Sequence, residues 1–110
     1  MAANNYALSL KDLSRFEEAK SLLRKTMPVA RRVLGDDDRV TLTMRATYAK
    51  ALYEDDGATL GDLREAVTML EEIERIARRV LGGAHPMTEG IEKCLKIVRA
   101  NPRANEERLP

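Results

Sequence analysis

Tryptophan is missing from this sequence, and aromatic residues make up only 4 % of it. The core must therefore be assembled from Leu, Ile, Val, Met and Ala. Such a palette suits closely packed helices better than a sheet, which draws on aromatic and β-branched strands. Only one cysteine is present, Cys94, so no internal disulfide can form, as fits a reducing compartment. The lone histidine, His85, has no Cys or carboxylate companions at metal-ligand spacing. No nucleophile–base pair and no phosphate-cradling loop can be read either, so no enzyme chemistry, metal or cofactor is expected. Charge of one sign is absent as well. Nineteen basic and eighteen acidic residues leave +1, whereas a dedicated nucleic-acid binder carries a strong basic excess. No apolar run approaches the roughly 18 residues of a membrane span. The first residues, Met1, Ala2, Ala3, Asn4 and Asn5, lack the basic-then-apolar pattern of a signal peptide. A cytoplasmic protein with no nucleic-acid or membrane partner is the expectation.

What the sequence does contain is a repeat. The hexapeptide Ala-Arg-Arg-Val-Leu-Gly occurs at residues 30–35 and again at 77–82, 47 residues apart. Self-similarity at such a period marks a helical array. Each copy closes a segment whose apolar residues recur every three or four positions. In the first, Phe16, Ala19, Leu22, Leu23, Met27, Ala30, Val33 and Leu34 share one stripe. In the second, Leu63, Ala66, Val67, Leu70, Ile73, Ala77, Val80 and Leu81 do. The pattern predicts five helices, at about residues 4–13, 16–34, 40–56, 62–81 and 86–100, and a disordered polar tail at 102–110.

Local signals support these boundaries. Gly35 and Gly82 stand where a helix is ended by a left-handed residue. Arg31 and Arg32, like Arg78 and Arg79, lie in last turns, where positive charge complements the helix dipole. Pro86 suits a first helical position. Pro28 falls inside a stripe that keeps its phase, which predicts one kinked helix rather than two. Asp36, Asp37 and Asp38 read as a capping cluster, because the spread of oxygen ligands that a calcium loop needs does not follow them. Residues 40–56 are apolar on two faces, as a helix sandwiched between neighbours would be. Residues 57–61 read as a glycine-bounded loop.

Laid over each other at the 47-residue offset, Phe16 falls on Leu63, Ala19 on Ala66, Leu23 on Leu70, Thr41 on Thr88 and Met44 on Ile91. The units in turn resemble the tetratricopeptide repeat of kinesin-light-chain type. The resemblance rests on Asn4, Asn5, Tyr6 and Ala7, on Arg15, Phe16, Glu17, Glu18 and Ala19, on Val33, Leu34 and Gly35, and on His85 followed by Pro86. In the first copy Asp36, Asp37, Asp38 and Arg39 replace the His-Pro loop, and residues 57–61 read as an insertion. The resemblance implies an all-α fold of antiparallel helix pairs stacked as an α-solenoid of about two and a half repeats.

It further implies a protein–protein interaction scaffold whose concave groove is lined by the first helix of each pair. Carried over position by position, the groove residues are Asn4, Asn5, Lys11, Thr43, Thr47, Lys50, Tyr53 and Lys93, with Leu8, Glu54 and Ile97 beside them. Lysines on three successive first helices (Lys11, Lys50 and Lys93) point to an acidic peptide or partner helix. The alternative is an architectural piece of a longer array with no recognition of its own. In either case a second copy or further repeats are expected to cover the array ends.

Overall fold

A computed structural model describes residues 7–9 and 15–102. Residues 7–9 are helical and bring Ala7 into the core. Four longer helices follow: α1 (Phe16–Val33), α2 (Arg39–Glu54), α3 (Leu60–Leu81) and α4 (Pro86–Arg99). The rest of the expected helix at 4–13, the turn before Arg15 and the tail from residue 103 onward lie outside the described residues, as do Asn4, Asn5 and Lys11.

Each helix packs against the next in the chain, and α2 also touches α4. No such contact joins α1 to α3. The second helices thus stand apart while α2 lies beneath both, which explains its unusual composition. Its buried residues, Thr41, Leu42, Met44, Arg45, Thr47, Tyr48, Ala49, Ala51 and Leu52, go round most of the helix circumference. On α1 and α3 the buried positions instead form single stripes, led by Ala19, Leu23 and Ala30 and by Leu63, Ala66, Leu70, Ile73 and Ala77. The fold is an all-α array of stacked helix pairs.

The ends of the helices follow from local chemistry. Asp38 begins α2 by accepting the N–H of Val40 on Oδ1 (2.8 Å), so one carboxylate of the aspartate cluster is indeed a cap and the helix starts at Arg39. His85 does the same for α4, its Nδ1 accepting from the N–H of Met87 (3.1 Å). Asp38 and His85 are 47 residues apart. The first copy lacks the His-Pro pair but has the acceptor that the helix start needs. Gly35 and Gly82 both take positive φ, +93° and +91°, and end the preceding helices.

Several expectations need correction. The second helix stops at Glu54 rather than 56, because Asp55 turns extended and its carboxylate takes the N–H of Gly57 (2.9 Å). The third begins at Leu60 rather than 62, and Gly61 lies inside it rather than in a loop. Thr59 and Asp62 form a reciprocal capping box that captures two otherwise orphaned N–H groups. The first and last long helices end at Val33 and Arg99, one residue short of the expected bounds at 34 and 100.

The largest correction concerns the hexapeptide. Val33 is 69 % exposed, and Leu34 and Val80 are exposed too. Ala30 and Ala77 are the last fully buried residues of their helices, and beyond them only Leu81 packs against the core, half-buried. Periodicity continues the stripe to the end of the helix, but the partner surface stops earlier.

Pro28 sits within a single continuous α1. Both it and Arg24, whose carbonyl loses its N–H partner to the proline, are exposed residues, so the broken bond falls on the solvent side. The arginines of the repeat do more than complement dipoles. Arg31 donates to Asp36 (2.7 Å), Arg78 pairs with Glu74 and Glu92, and Arg79 reaches back to Asp37 (2.9 Å) in the loop of the preceding copy. Glu71, which the helix spacing predicts to pair with Arg75, accepts from Arg99 of α4 (2.7 Å). Apart from Arg78–Glu74, which lies within one helix, these exposed pairs join neighbouring elements; screening by salt keeps their energetic contribution small.

Candidate functional site

A cavity of about 570 Å³ lies between α2 and α4, closed on one side by Leu8 of the helical stretch at 7–9. Helix α2 lines it with Arg39, Thr43, Ala46, Thr47 and Lys50, positions spaced by three, four and seven that fall on one face. From the other wall come His85 and Pro86, then Met87, Gly90, Ile91 and Cys94 of α4. The space exists because the facing residues are small. A Cβ built on Gly90 would meet nothing within 4 Å, and Ala46 stands opposite on α2.

The chemistry of the groove is mixed. Met87, Ile91, Leu8 and Ala46 supply apolar surface. Thr43 donates its hydroxyl to the carbonyl of Arg39 (2.7 Å), and Thr47 to that of Thr43 (2.9 Å). Both hydroxyl protons are thereby committed to the helix, so each threonine offers the groove an acceptor oxygen. Arg39 and Lys50 are the cationic side chains of the lining, and no carboxylate is among the lining residues. His85 both caps α4 and borders the groove, with its Nδ1 occupied by the backbone.

Of the described residues expected in a groove, Thr43, Thr47, Lys50 and Leu8 come together in this cavity. Lys93 does not: it is exposed on α4 and outside the lining. Tyr53 is half-buried and hydrogen-bonded to Cys94, and burial first, then the thiol, pushes its phenol pKa up. It packs against the core and lies outside the lining. Ile97 and Glu54 are exposed and also lie outside the lining.

Sequence reasoning missed Arg39, Ala46 and Gly90, and assigned Met87 and Ile91 to the core alone. The 47-residue offset contained part of the signal, since Gly90 is the counterpart of Thr43 and Cys94 that of Thr47. What it could not supply was the gap between α2 and α4, which depends on how the two helices pack.

A second cleft lies across α2 from the first. Positions 45 and 48 are about 180° from the 43, 46, 47 and 50 set at 100° per residue. Arg24, Met27, Pro28 and Arg31 of α1 form one wall, Glu65 and Met69 of α3 the other, and Arg45 and Tyr48 the floor. The Tyr48 hydroxyl accepts from Arg24 Nε (3.1 Å) and donates to Glu65 Oε2 (3.1 Å), joining three helices through one phenol. The Arg24 guanidinium also stacks over its ring, 5.7 Å from the centroid. Burial raises the Tyr48 pKa against the lowering effect of Arg24. The Arg24 guanidinium is held more firmly protonated, chiefly by the Tyr48 hydrogen bond.

Among the described residues no group of three or more His, Cys, Asp or Glu side chains could hold a metal ion. None of the described helices is long and apolar enough to cross a membrane. Comparison with curated proteins and with solved structures returned no match. The family model for the tetratricopeptide repeat matches residues 1–39 and 58–86, more than half of the chain. The first segment runs through α1 and its glycine stop, the second from the capping box of α3 to the start of α4. The gap between them is α2 after its first residue, with the turn that follows it. The repeated glycine-terminated helices, the α2 surface buried by its neighbours and this match agree: the chain belongs to the tetratricopeptide repeat family.

Proposed function

We propose that this chain is a protein–protein interaction scaffold and that the groove between α2 and α4 receives a peptide or helix of a partner protein. Tetratricopeptide repeats mediate protein–protein interactions, and no enzymatic role is part of this reading. The observation that carries it is the groove's lining: apolar walls, two threonine acceptors and two cations, with no acidic side chain. Apolar side chains of a ligand would enter between Met87, Ile91 and Leu8, its N–H groups would meet Thr43 and Thr47, and its carboxylates would lie near Arg39 and Lys50. An acidic, amphipathic segment fits best. Lys93, although exposed outside the lining, adds positive charge on α4. The His-Pro start of α4 and the Asp38 cap that replaces it support the kinesin-light-chain-like subtype, and a cytoplasmic location accords with the single buried thiol.

Peptide selection on the immobilised chain tests this. Wild-type protein should enrich peptides containing Asp or Glu beside Leu or Met. Arg39→Glu with Lys50→Glu should abolish that enrichment. Gly90→Leu should block binding by filling the groove, in a position where the added side chain meets open space and improves helix propensity. Enrichment that survives Gly90→Leu unchanged would place recognition elsewhere.

A second reading has its own observation. Ile97 on α4 and Val80 on α3 are large, apolar and exposed, and a second copy or further repeats packed there would bury them. Light scattering after size exclusion distinguishes the cases: a monomer at tens of micromolar would exclude self-association as the cover.

A further inference from the structure

We infer that the cleft floored by Arg45 and Tyr48 is an oxyanion site, selective for a phosphate-type group and separate from the peptide groove. Arg24, Arg31 and Arg45 converge there from two helices, and Glu65 is the one carboxylate in the lining. Arg45 is the key residue. It is 97 % buried (3 % exposed), and its Nη2 pairs with Glu72 (2.9 Å), yet its Nη1 is buried with no hydrogen-bond partner among the described residues. A guanidinium donor removed from water and left without an acceptor is costly, so a buried one calls for an explanation.

The charges already present do not supply that acceptor. Asp36 engages Nε of Arg31, Tyr48 engages Nε of Arg24, and Glu72 engages Nη2 of Arg45. Each takes one edge of its guanidinium, whose planar fork has further donors suited to a tetrahedral oxyanion. Arg24 and Arg31 are exposed and Met27 is half-buried, so these long side chains can shift to admit an acceptor to Nη1 without backbone movement.

The scaffold does not require this arrangement. In the next cleft along, the counterparts 47 residues on are Glu71 for Arg24, Arg78 for Arg31, Glu92 for Arg45 and Leu95 for Tyr48. There Arg78 pairs with Glu74 and Glu92, and Arg99 with Glu71, so acid and base neutralise each other. The same architecture thus carries a self-paired cleft beside one in which a buried, singly paired guanidinium keeps one donor unsatisfied. Phosphate is favoured over a carboxylate because three guanidinium groups can share its charge and its several oxygens. With a cavity of about 390 Å³ and the thioethers of Met27 and Met69 on its walls, the cleft has room for a phosphomonoester as well as the free ion.

Titration of the ¹⁵N-labelled full chain at constant ionic strength tests the site, using inorganic phosphate in one arm and N-acetyl-phosphoserine amide in the other. Saturable shifts are expected at the arginine Nε–Hε signals and at the amides of residues 24–27, 29–31 and 45–48, while the amides of residues 71–78 stay unmoved. Arg24→Gln, an exposed change, should weaken binding about tenfold, the equivalent of one lost charge-assisted bond. Arg45→Lys keeps the charge opposite Glu72 but removes Nη1, and should weaken it at least as much. If that variant does not fold, Arg24→Gln carries the test. Tighter binding of the phosphoserine compound identifies a phosphorylated protein segment as the source, and tighter binding of inorganic phosphate identifies the free ion. Shifts that do not saturate, or an affinity unchanged in Arg24→Gln, would overturn the inference.

Discussion

Exchanging the two helix caps probes the repeat at the atomic level. Asp38 and His85 occupy the same position of successive units and each accepts the N–H two residues on, Val40 at 2.8 Å and Met87 at 3.1 Å. Replacing His85 with Ala removes the acceptor and leaves that N–H to water, which costs about 1 kcal/mol. In a chain of this size such a loss lowers the melting temperature by about 4–8 °C. Replacing His85 with Asp should restore the bond in the form that Asp38 already uses. It adds a negative charge at the helix N-terminus, worth about 0.3–1 kcal/mol, so His85→Asp should match or exceed wild-type stability. Asp38→Ala should cost about the same as His85→Ala. The two caps lie on different helices and share no partner, so the double alanine variant should show the sum of the single losses within about 0.5 kcal/mol. Urea denaturation followed by circular dichroism at 222 nm measures all four variants. If His85→Asp is as damaging as His85→Ala, the imidazole is needed for something other than its acceptor nitrogen, and the equivalence of the two positions fails.

Leu70 is fully buried in the core beside Leu23 and Met44; Leu70→Ala should destabilise the chain by about 2–5 kcal/mol in the same assay. Gly35 has a φ of +93° and an added Cβ would meet nothing within 4 Å. Gly35→Ala should therefore cost about 1–2 kcal/mol from backbone conformation alone, and Gly82→Ala, at +91°, a similar amount; a neutral result at either would show that its turn relaxes. Tyr53 has a phenol pKa raised above its ordinary value of 10.0, by burial first and by the hydrogen bond with Cys94 second. The unfolded chain ionises at about that ordinary value while the folded chain stays neutral, so this contribution is fully present below pH 10 and is lost as pH rises through the folded value. Melting temperatures measured from pH 8 to 11 should fall above 10, and Tyr53→Phe should flatten that fall; an identical slope in the variant would refute the assignment.

Much of the scaffold was legible because its signals are local. Apolar residues at helical spacing, glycines at helix ends and a proline at the start of α4 depend only on near neighbours in the chain. The 47-residue offset then related one unit to the next without any knowledge of contacts. Boundaries at residues 54 and 60 were misread because an Asp55 side-chain turn and the Thr59–Asp62 box act through hydrogen bonds rather than through hydropathy. The terminal valines lie on the apolar stripe yet are exposed, because periodicity records which face of a helix is apolar, not how far its neighbour extends.

By itself, then, the order of residues determined the helices, their stops and their period, since each follows from torsional preference and the spacing of side chains along one segment. Only the tertiary structure decided which apolar residues are covered. It decided too that Thr43, Thr47 and Lys50 face Met87 and Ile91 across a groove, and that Arg45 is buried beneath Arg24 and Arg31 with one donor unsatisfied. Those outcomes depend on where α2 lies between its neighbours, which is set by packing between residues far apart in the chain, Met44 and Leu70 of the core among them.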